Sequence, residues 1–92
     1  MITAIVMIDA ASERIPETAQ IIADIEGVSE VYSVAGACDL IAMVRVREFD
    51  DIANVISNRI NKAAGVLKTD SYIAFRSFAK DESEATFSIG LE

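Results

Sequence analysis

Hydrophobic and polar positions follow two different periods along this chain, and the changes of period divide it into short segments. Four segments are short or rich in β-branched residues, which favours strands: residues 2–8, 28–35, 40–46 and 66–78. The last of these is long enough to be bulged or bent. Two other segments carry apolar residues at helical spacing, and each ends at a glycine, as helices do just past a C-cap: Gly27 and Gly65.

The two predicted helices differ in the strength of their pattern. The first spans residues 16–26 after a connector at residues 10–14, and Pro16 suits its first turn. The second, at residues 47–64, is the clearest amphipathic segment of the chain. Its predicted apolar stripe consists of Phe49, Ile52, Ala53, Ile56, Ile60 and Ala63. We therefore expect Phe49 in the core, together with Phe75 of the fourth strand.

A weak internal duplication relates the two halves of the chain. IADIEGVSEVYSVA aligns with INKAAGVLKTDSYIA on the glycine–valine pairs at residues 27–28 and 65–66. Each copy contains a helix end, a glycine and a strand start. Two βαβ halves of this kind give an α+β, ferredoxin-like βαββαβ sandwich, with a four-stranded antiparallel sheet and both helices on one face.

The third strand, LIAMVRV, is apolar on both faces for most of its length. An antiparallel strand with one wet face alternates cleanly, so this strand needs cover on both sides. The composition agrees, because 52% of the residues are hydrophobic, more than a small monomer requires. We expect a second copy to cover the open face by sheet-on-sheet packing, giving a dimeric α-β barrel.

The charge balance limits the partners of the chain. It carries 15 acidic and eight basic residues and no histidine, for a net charge of −7. Such a chain repels nucleic acid and anionic membranes, so we expect no direct nucleic-acid or membrane partner. No apolar run approaches membrane-spanning length, and the acidic residue Asp9 argues against a signal peptide. The cytoplasm is the expected location.

Catalytic groups are scarce. Without histidine, Ser-His-Asp and Cys-His arrangements and histidine-ligated metals are excluded. A lone cysteine, Cys38, excludes CxxC motifs and has no adjacent base in the sequence. We therefore expect no enzymatic activity, no metal and no cofactor.

Two groups of residues are candidates for ligand binding. The turn Gly36-Ala37-Cys38-Asp39 joins two strands. A glycine with positive φ there would leave backbone N–H groups free to form a nest for an anion. The carboxylate of Asp39 would then pair with an ammonium group of the ligand. Thr69 and Ser71 lie two apart on a strand, so their hydroxyls share one face. On the residues alone, a turn aspartate that caps backbone and ordinary strand polarity explain both groups better.

The order of these features resembles the effector-binding (RAM) domain of the Lrp/AsnC, or feast/famine, transcriptional regulators. The resemblance covers nearly the whole chain, from residue 2 to 78. Its marks are the strand ending in Gly36, Asp39 opening DLIAMVRV, the acidic start of the second helix, and Gly65-Val66 followed by Thr69 and Ser71. Full-length members carry an N-terminal helix-turn-helix, so this chain is similar to the stand-alone form.

The resemblance implies a ligand-binding and oligomerisation domain over residues 1–78, with a tail at 79–92 that packs on the domain or a partner. It implies dimers that assemble into tetramers or octamers and bind an amino acid or similar small effector between dimers. The residues it points to are Gly36, Ala37, Cys38, Asp39, Thr69 and Ser71. Cys38 departs from the bulkier residue that the family often carries there. Any effect on transcription would pass through a partner, for example a full-length Lrp/AsnC regulator.

Two other functions stay open at this stage. Small dimeric αβ-barrel enzymes, such as cofactor-free monooxygenases and isomerases, share the βαββαβ plan, but they usually place acid-base groups inside each subunit. A pure assembly domain without a ligand is the third possibility, and binding data separate it from the first.

Overall fold

The computed structural model describes residues 1–80 and contains four strands and two helices in the order βαββαβ, as predicted. The strands are β1 (Ile2–Ala10), β2 (Val28–Ser33), β3 (Leu40–Val46) and β4 (Val66–Ile73). Helix α1 covers Ile15–Ala23 after a 3₁₀ turn at Ser12–Arg14, and helix α2 covers Phe49–Ala53 and continues as a π-helical segment over Asn54–Ile60. Within residues 1–80, no helix is long and apolar enough to cross a bilayer.

The strands form one antiparallel sheet in the order β2-β3-β1-β4, and both helices pack on the same face of it. This is the predicted α+β, ferredoxin-like fold. The core lies between sheet and helices, where Ile8, Ile22, Leu40 and Ile60 have no exposed surface. Each such side chain contributes roughly 1.5–3 kcal/mol relative to an exposed one.

The two halves contact each other in equivalent ways through their glycines. Gly27 (φ +100°) and Gly65 (φ +93°) both follow a helix, and the next residue, a valine, begins a strand. A Cβ at Gly27 would lie 2.7 Å from Cγ2 of Val55 on α2, and a Cβ at Gly65 would overlap Oγ1 of Thr18 on α1. Each glycine therefore accommodates the helix of the other half.

The same symmetry extends to the backbone at the start of β2 and β4. The carbonyl of Gly27 accepts a hydrogen bond from the N–H of Arg45 at 2.9 Å, and that of Gly65 accepts one from Ala11 at 2.8 Å. The pairing of each strand then shifts register within the next three residues. Thr18, the one buried polar residue of the described core, donates its hydroxyl to the carbonyl of Ala64 at 3.0 Å. The internal duplication is thus visible in the geometry.

Several predicted bounds need correction. Strand β1 continues to Ala10, two residues beyond the prediction, and β2 ends at Ser33. Strand β4 ends at Ile73 instead of Phe78; the N–H of Ala74 still bonds the carbonyl of Thr3, but only Ile2 of β1 lies beyond that point, so residues 75–78 have no strand to pair with. Phe75 is consequently fully exposed and lies outside the core. Of the predicted tail, residues 81–92 lie outside the described residues.

The stripe of the second helix is also different from the prediction. Phe49 is 62% exposed at the start of α2, and Ala53 is exposed as well. The buried residues are Ile52, Val55, Ile56 and Ile60. Val55 lies outside the predicted stripe; it is buried because it packs on Gly27, a contact that no local pattern contains.

The second face of the sheet carries no helix. Cross-strand pairing places on it Ile5 and Met7 of β1, Ile41 and Met43 of β3, Tyr32 of β2 and Tyr72 of β4. We call this set the open face. The residues of β1 and β3 on it are half-buried, whereas the two tyrosines are about half exposed. The face is apolar at its centre, as the composition of β3 predicted.

The contact between Gly65 and Thr18 leads to a stability prediction. Gly65→Ala introduces a side chain at positive φ and forces it into Oγ1 of Thr18, so we expect a loss of about 2–4 kcal/mol in the free energy of unfolding. Urea denaturation followed by circular dichroism measures it.

Gly36→Ala is the matched control for that variant. Gly36 does not adopt a positive φ, and a Cβ there meets no atom within 4 Å. Its unfolding free energy should therefore stay within about 0.5 kcal/mol of the parent. Equal losses in the two variants would contradict the packing role assigned to Gly65.

Candidate functional site

The loop between β2 and β3, residues 34–39, is anchored to the sheet at its end. The N–H of Val34 donates to the carbonyl of Asp39 at 3.1 Å, and the N–H of Asp39 donates to the carbonyl of Ile8 at 3.0 Å. The carboxylate of Asp39 accepts a hydrogen bond from the N–H of Ala10 at 2.9 Å. One residue thus bonds β1 twice, through its backbone and its side chain.

This geometry bears on the simpler of the two interpretations of Asp39. The carboxylate caps backbone, as the simpler interpretation held, although the backbone belongs to β1 and not to the loop itself. It satisfies the N–H of Ala10, which lies beyond Ile8, the last residue of β1 that pairs with β3. Asp39 therefore fixes the position of the loop, and its Oδ2 atom is already engaged in this subunit.

The anion nest that a glycine of positive φ would allow is not formed at Gly36. Among the described residues only Gly27 and Gly65 have positive φ, which agrees with the simpler interpretation of this turn. The loop is held instead by the hydrogen bonds of Val34 and Asp39 at its two ends. The residues between them, 35–38, need no positive φ. Gly36 and Ala37 are exposed, and Cys38 is half-buried with a free thiol.

A cavity of about 580 Å³ lies beside this loop on the open face of the sheet. Residues 34–38 form one wall, and their side chains are small. Met7 and Ile41 form the apolar floor, on the central strands β1 and β3. The small side chains of the loop leave the cavity wide.

The remaining wall is charged. Asp9 lies opposite Lys68 in the pairing of β1 with β4, and Asp70 lies opposite Met7 on the same face. None of the three charged groups forms an ion pair within residues 1–80. Both signs of charge are therefore available to a ligand. Within the same residues, no group of three or more His, Cys, Asp or Glu side chains is arranged to hold a metal ion.

Thr69 and Ser71 lie on the other face of the sheet. They pair with Ile8 and Val6, whose side chains point to the helices. The hydroxyl of Thr69 donates to Oδ1 of Asn61 at 2.6 Å, and Ser71 is exposed. One subunit thus does not bring Thr69 and Ser71 together with the cavity at residues 34–38, although both lie toward the same end of the sheet.

The sequence interpretation missed the charged wall of the cavity. Lys68 and Asp70 alternate with Thr69 and Ser71 along β4, so the strand period places them on the opposite face of the sheet. The missing information was the register of β4 against β1, which brings Lys68 to Asp9. The bulge near Ala10 sets that register, and it left no separate signal in the sequence.

Comparison with protein families identifies this architecture. Residues 3–84 match the model of the Lrp/AsnC ligand binding domain. The chain belongs to the Lrp/AsnC family. Its sequence is also similar to the HTH-type transcriptional regulator LrpA of Pyrococcus horikoshii, with 34% identity over 61 residues. Those residues are 66% of this chain and 43% of the regulator, so the Lrp/AsnC domain spans less than half of that relative.

Solved structures resemble this Lrp/AsnC domain over most of its length. TTHA0845 from Thermus thermophilus has 36% identity and a TM-score of 0.81, covering 87% of this chain and all of the other. A feast or famine regulatory protein of M. tuberculosis, solved with L-methionine, has 28% identity and a TM-score of 0.71. That match covers 88% of this chain and 54% of the other.

The role of Asp39 in the Lrp/AsnC domain leads to a second prediction. Asp39→Ala removes the acceptor for the N–H of Ala10, so we expect a loss of about 1–3 kcal/mol in the free energy of unfolding. Asp39→Asn keeps an oxygen acceptor and should lose less. Urea unfolding curves for the two variants measure the order.

Asp70→Ala serves as the control, because the Asp70 side chain is exposed and makes no hydrogen bond or ion pair within residues 1–80. Its unfolding curve should match that of the parent within about 0.5 kcal/mol. If Asp39→Ala were as stable as Asp70→Ala, the carboxylate would not hold the loop.

Proposed function

We propose that this chain is an effector-binding module that recognises a free amino acid in the cavity beside residues 34–38. The observation that carries the proposal is the combination, in an Lrp/AsnC ligand binding domain, of a cavity of about 580 Å³ with unpaired charges of both signs on one wall. An amino acid is a zwitterion, so it needs a cation and an anion close together and space for a side chain.

The chemistry of the lining assigns a role to each wall. The ammonium group of Lys68 is the partner for the ligand carboxylate, and Asp9 and Asp70 are the partners for its ammonium group. Met7 and Ile41 offer an apolar surface to the ligand side chain. The loop contributes its exposed backbone at Gly36 and Ala37 and the half-buried thiol of Cys38.

The relatives support this class of ligand. The M. tuberculosis feast or famine regulatory protein, 28% identical to this chain, was solved in complex with L-methionine. From that protein we carry over to this chain only the class of ligand, a free amino acid. The short side chains of residues 35–38 leave room for a ligand of this size or larger.

We also propose that two copies pair through the centre of the open face. Ile5 and Met43 are direct cross-strand neighbours on the two central strands, and neither is covered by a helix. Pairing buries this apolar centre and forms a dimeric α-β barrel. The cavity lies at the end of the face, beside the β2–β3 loop, where a further dimer has access.

The positions of Thr69 and Ser71 fit assembly beyond the dimer. Because they lie on the helix face of their own subunit, they reach an amino acid at residues 36–39 only when they come from a neighbouring dimer. A site shared between dimers links ligand binding to tetramers or octamers, since a ligand stabilises the assembly that binds it.

The route to transcription passes through a partner. With a net charge of −7, the chain neutralises no phosphate backbone by itself. Its relatives are HTH-type transcriptional regulators, of which it matches less than half. Co-assembly with a full-length Lrp/AsnC regulator would carry the amino-acid signal to DNA.

A catalytic role has less support. The curated relatives are named as transcriptional regulators, and the chain contains no histidine for acid-base chemistry. The proposal is therefore a binding function without a reaction, and the cofactor-free enzymes of the same plan stay the alternative.

The binding proposal is tested by a thermal-shift screen of the free amino acids at millimolar concentration, followed by calorimetry. At least one amino acid should raise the unfolding temperature, because it binds the native state only. Ala37→Leu extends a side chain at the cavity wall and should weaken binding by about tenfold or more.

Ala53→Leu is the control for Ala37→Leu, because Ala53 is also exposed but lies on α2, away from the cavity. It should bind the amino acid as the parent does. A screen without any response would refute the amino-acid proposal and favour a pure assembly domain.

The dimer proposal is tested by sedimentation velocity of Met43→Glu. A charge at the centre of the open face has no partner in a packed interface, so the dimer should weaken by about hundredfold or more. Ile21→Glu adds the same charge to the outer surface of α1, where Ile21 is 43% exposed, and should leave the sedimentation coefficient unchanged. A parent chain that sediments as a monomer at all concentrations would refute the proposal.

A further inference from the structure

A second cleft, of about 380 Å³, lies at the opposite end of the sheet from the cavity beside residues 34–38. It is bounded by the turn between α1 and β2, the end of β3 and one side of α2 with its π-helical continuation. The residues that give it chemistry are Glu26, Arg47, Asp51, Asn54 and Arg59. None of these residues belongs to the proposed amino-acid site.

The π-helical segment determines which side chains face this cleft. Over Asn54–Ile60 the backbone follows i→i+5 hydrogen bonding, and the N–H of Asn61 still bonds the carbonyl of Ile56 at 2.9 Å. In an α-helix, Asn54 and Arg59 would lie about 140° apart around the axis. The i→i+5 register brings residues five apart to within roughly 50° of each other around the axis, and both line the cleft.

This segment is an unusual feature to retain for packing alone. π-helical turns are rare and are found frequently at functional sites. Here the segment packs Val55 against Gly27 and also presents Arg59 to the cleft. A regular α-helix would place the Arg59 side chain on a different side from Asn54.

The cleft also concentrates positive charge in an acidic chain. Three of the chain's eight basic residues line it: Arg45, Arg47 and Arg59. The guanidinium of Arg45 bonds Glu30 at 3.0 Å and Ser29 at 2.9 Å. Arg47 and Arg59 form no ion pair or side-chain hydrogen bond within residues 1–80. Two guanidinium groups are therefore available to a ligand.

We propose that this cleft binds a small phosphorylated metabolite that also carries hydroxyl groups. Planar guanidinium groups bind phosphate oxygens through paired N–H donors, which is the chemistry that Arg47 and Arg59 offer. Glu26 and Asp51 are acceptors only, so they suit the hydroxyl donors of the same ligand and disfavour a bare anion. Asn54 offers its amide N–H donors between the two sets, whereas its Oδ1 already accepts a hydrogen bond from Nδ2 of Asn58 at 3.0 Å.

The experiment is a titration of the full chain with ribose 5-phosphate, inorganic phosphate and ribose, monitored by ¹H–¹⁵N NMR and calorimetry at constant ionic strength. Ribose 5-phosphate should bind with a saturable response, about fivefold or more tighter than inorganic phosphate, and ribose should give no response. The shifted amides should lie in the α1–β2 turn, at the end of β3 and in α2.

Variants test the two arginines against the general charge of the chain. Arg47→Gln and Arg59→Gln should each weaken ribose 5-phosphate binding by about tenfold or more. Arg14→Gln removes the same charge from an exposed position outside the cleft, so its affinity should stay within about twofold of the parent. Ala37→Leu, at the other cavity, should leave this binding unchanged.

Three results would overturn the proposal. The first is no saturable response to either phosphate compound at millimolar concentration. The second is an equal loss of affinity in Arg14→Gln and Arg59→Gln, which indicates non-specific charge attraction. The third is equal affinity for ribose 5-phosphate and inorganic phosphate, which indicates an adventitious ion only.

Discussion

The reciprocal contact of each half's glycine with the other half's helix is the constraint on which the remaining structure depends. Gly27 accommodates Val55, and Gly65 accommodates Thr18. Because both contacts form on one face of the sheet, they hold both helices there and leave the opposite face without cover. The carbonyls of the same glycines bond Arg45 of β3 and Ala11 just past the end of β1, which fixes where β2 and β4 begin to pair. The apolar open face and its charged end follow from that register.

How much the sequence predicts depends on whether a feature is set locally. The order of the elements, the bounds of β3 and the helix-ending glycines are local: period, β-branching and the lack of a Cβ determine them. The end of β4 is different, because it is set by the length of β1 as its partner and not by the apolar residues at 74–78. Phe49 and Phe75 were misplaced for the same reason: apolar character at the right spacing does not provide a neighbour to pack against.

The candidate site shows the same difference between features that are set locally and features that depend on distant parts of the chain. Residues 36–39 are recognisable because a turn and an aspartate between two strands form a local pattern, and the loop does line a cavity. The role of the aspartate is non-local, since its acceptor function depends on the N–H of Ala10, 29 residues earlier in the chain. The charged wall of the cavity is also non-local, because it depends on the register between β1 and β4. The family resemblance predicts which positions form the site, but only the register shows that Thr69 and Ser71 face away from the cavity within one chain.

The two concave sites lie at opposite ends of the central strands β1 and β3. Ile2 pairs with Val46 at one end and Ile8 with Leu40 at the other, a separation of roughly 20 Å at about 3.3 Å per residue. Paired central strands do not shift register in small steps, because a one-residue slip moves every side chain to the other face. A ligand at one end therefore has no deformable path to the other within a subunit. Two ligands influence each other only if both bind one assembly better than another, since coupling between sites requires states that each ligand distinguishes. In the dimers and higher assemblies proposed for this chain, a change of assembly supplies those states.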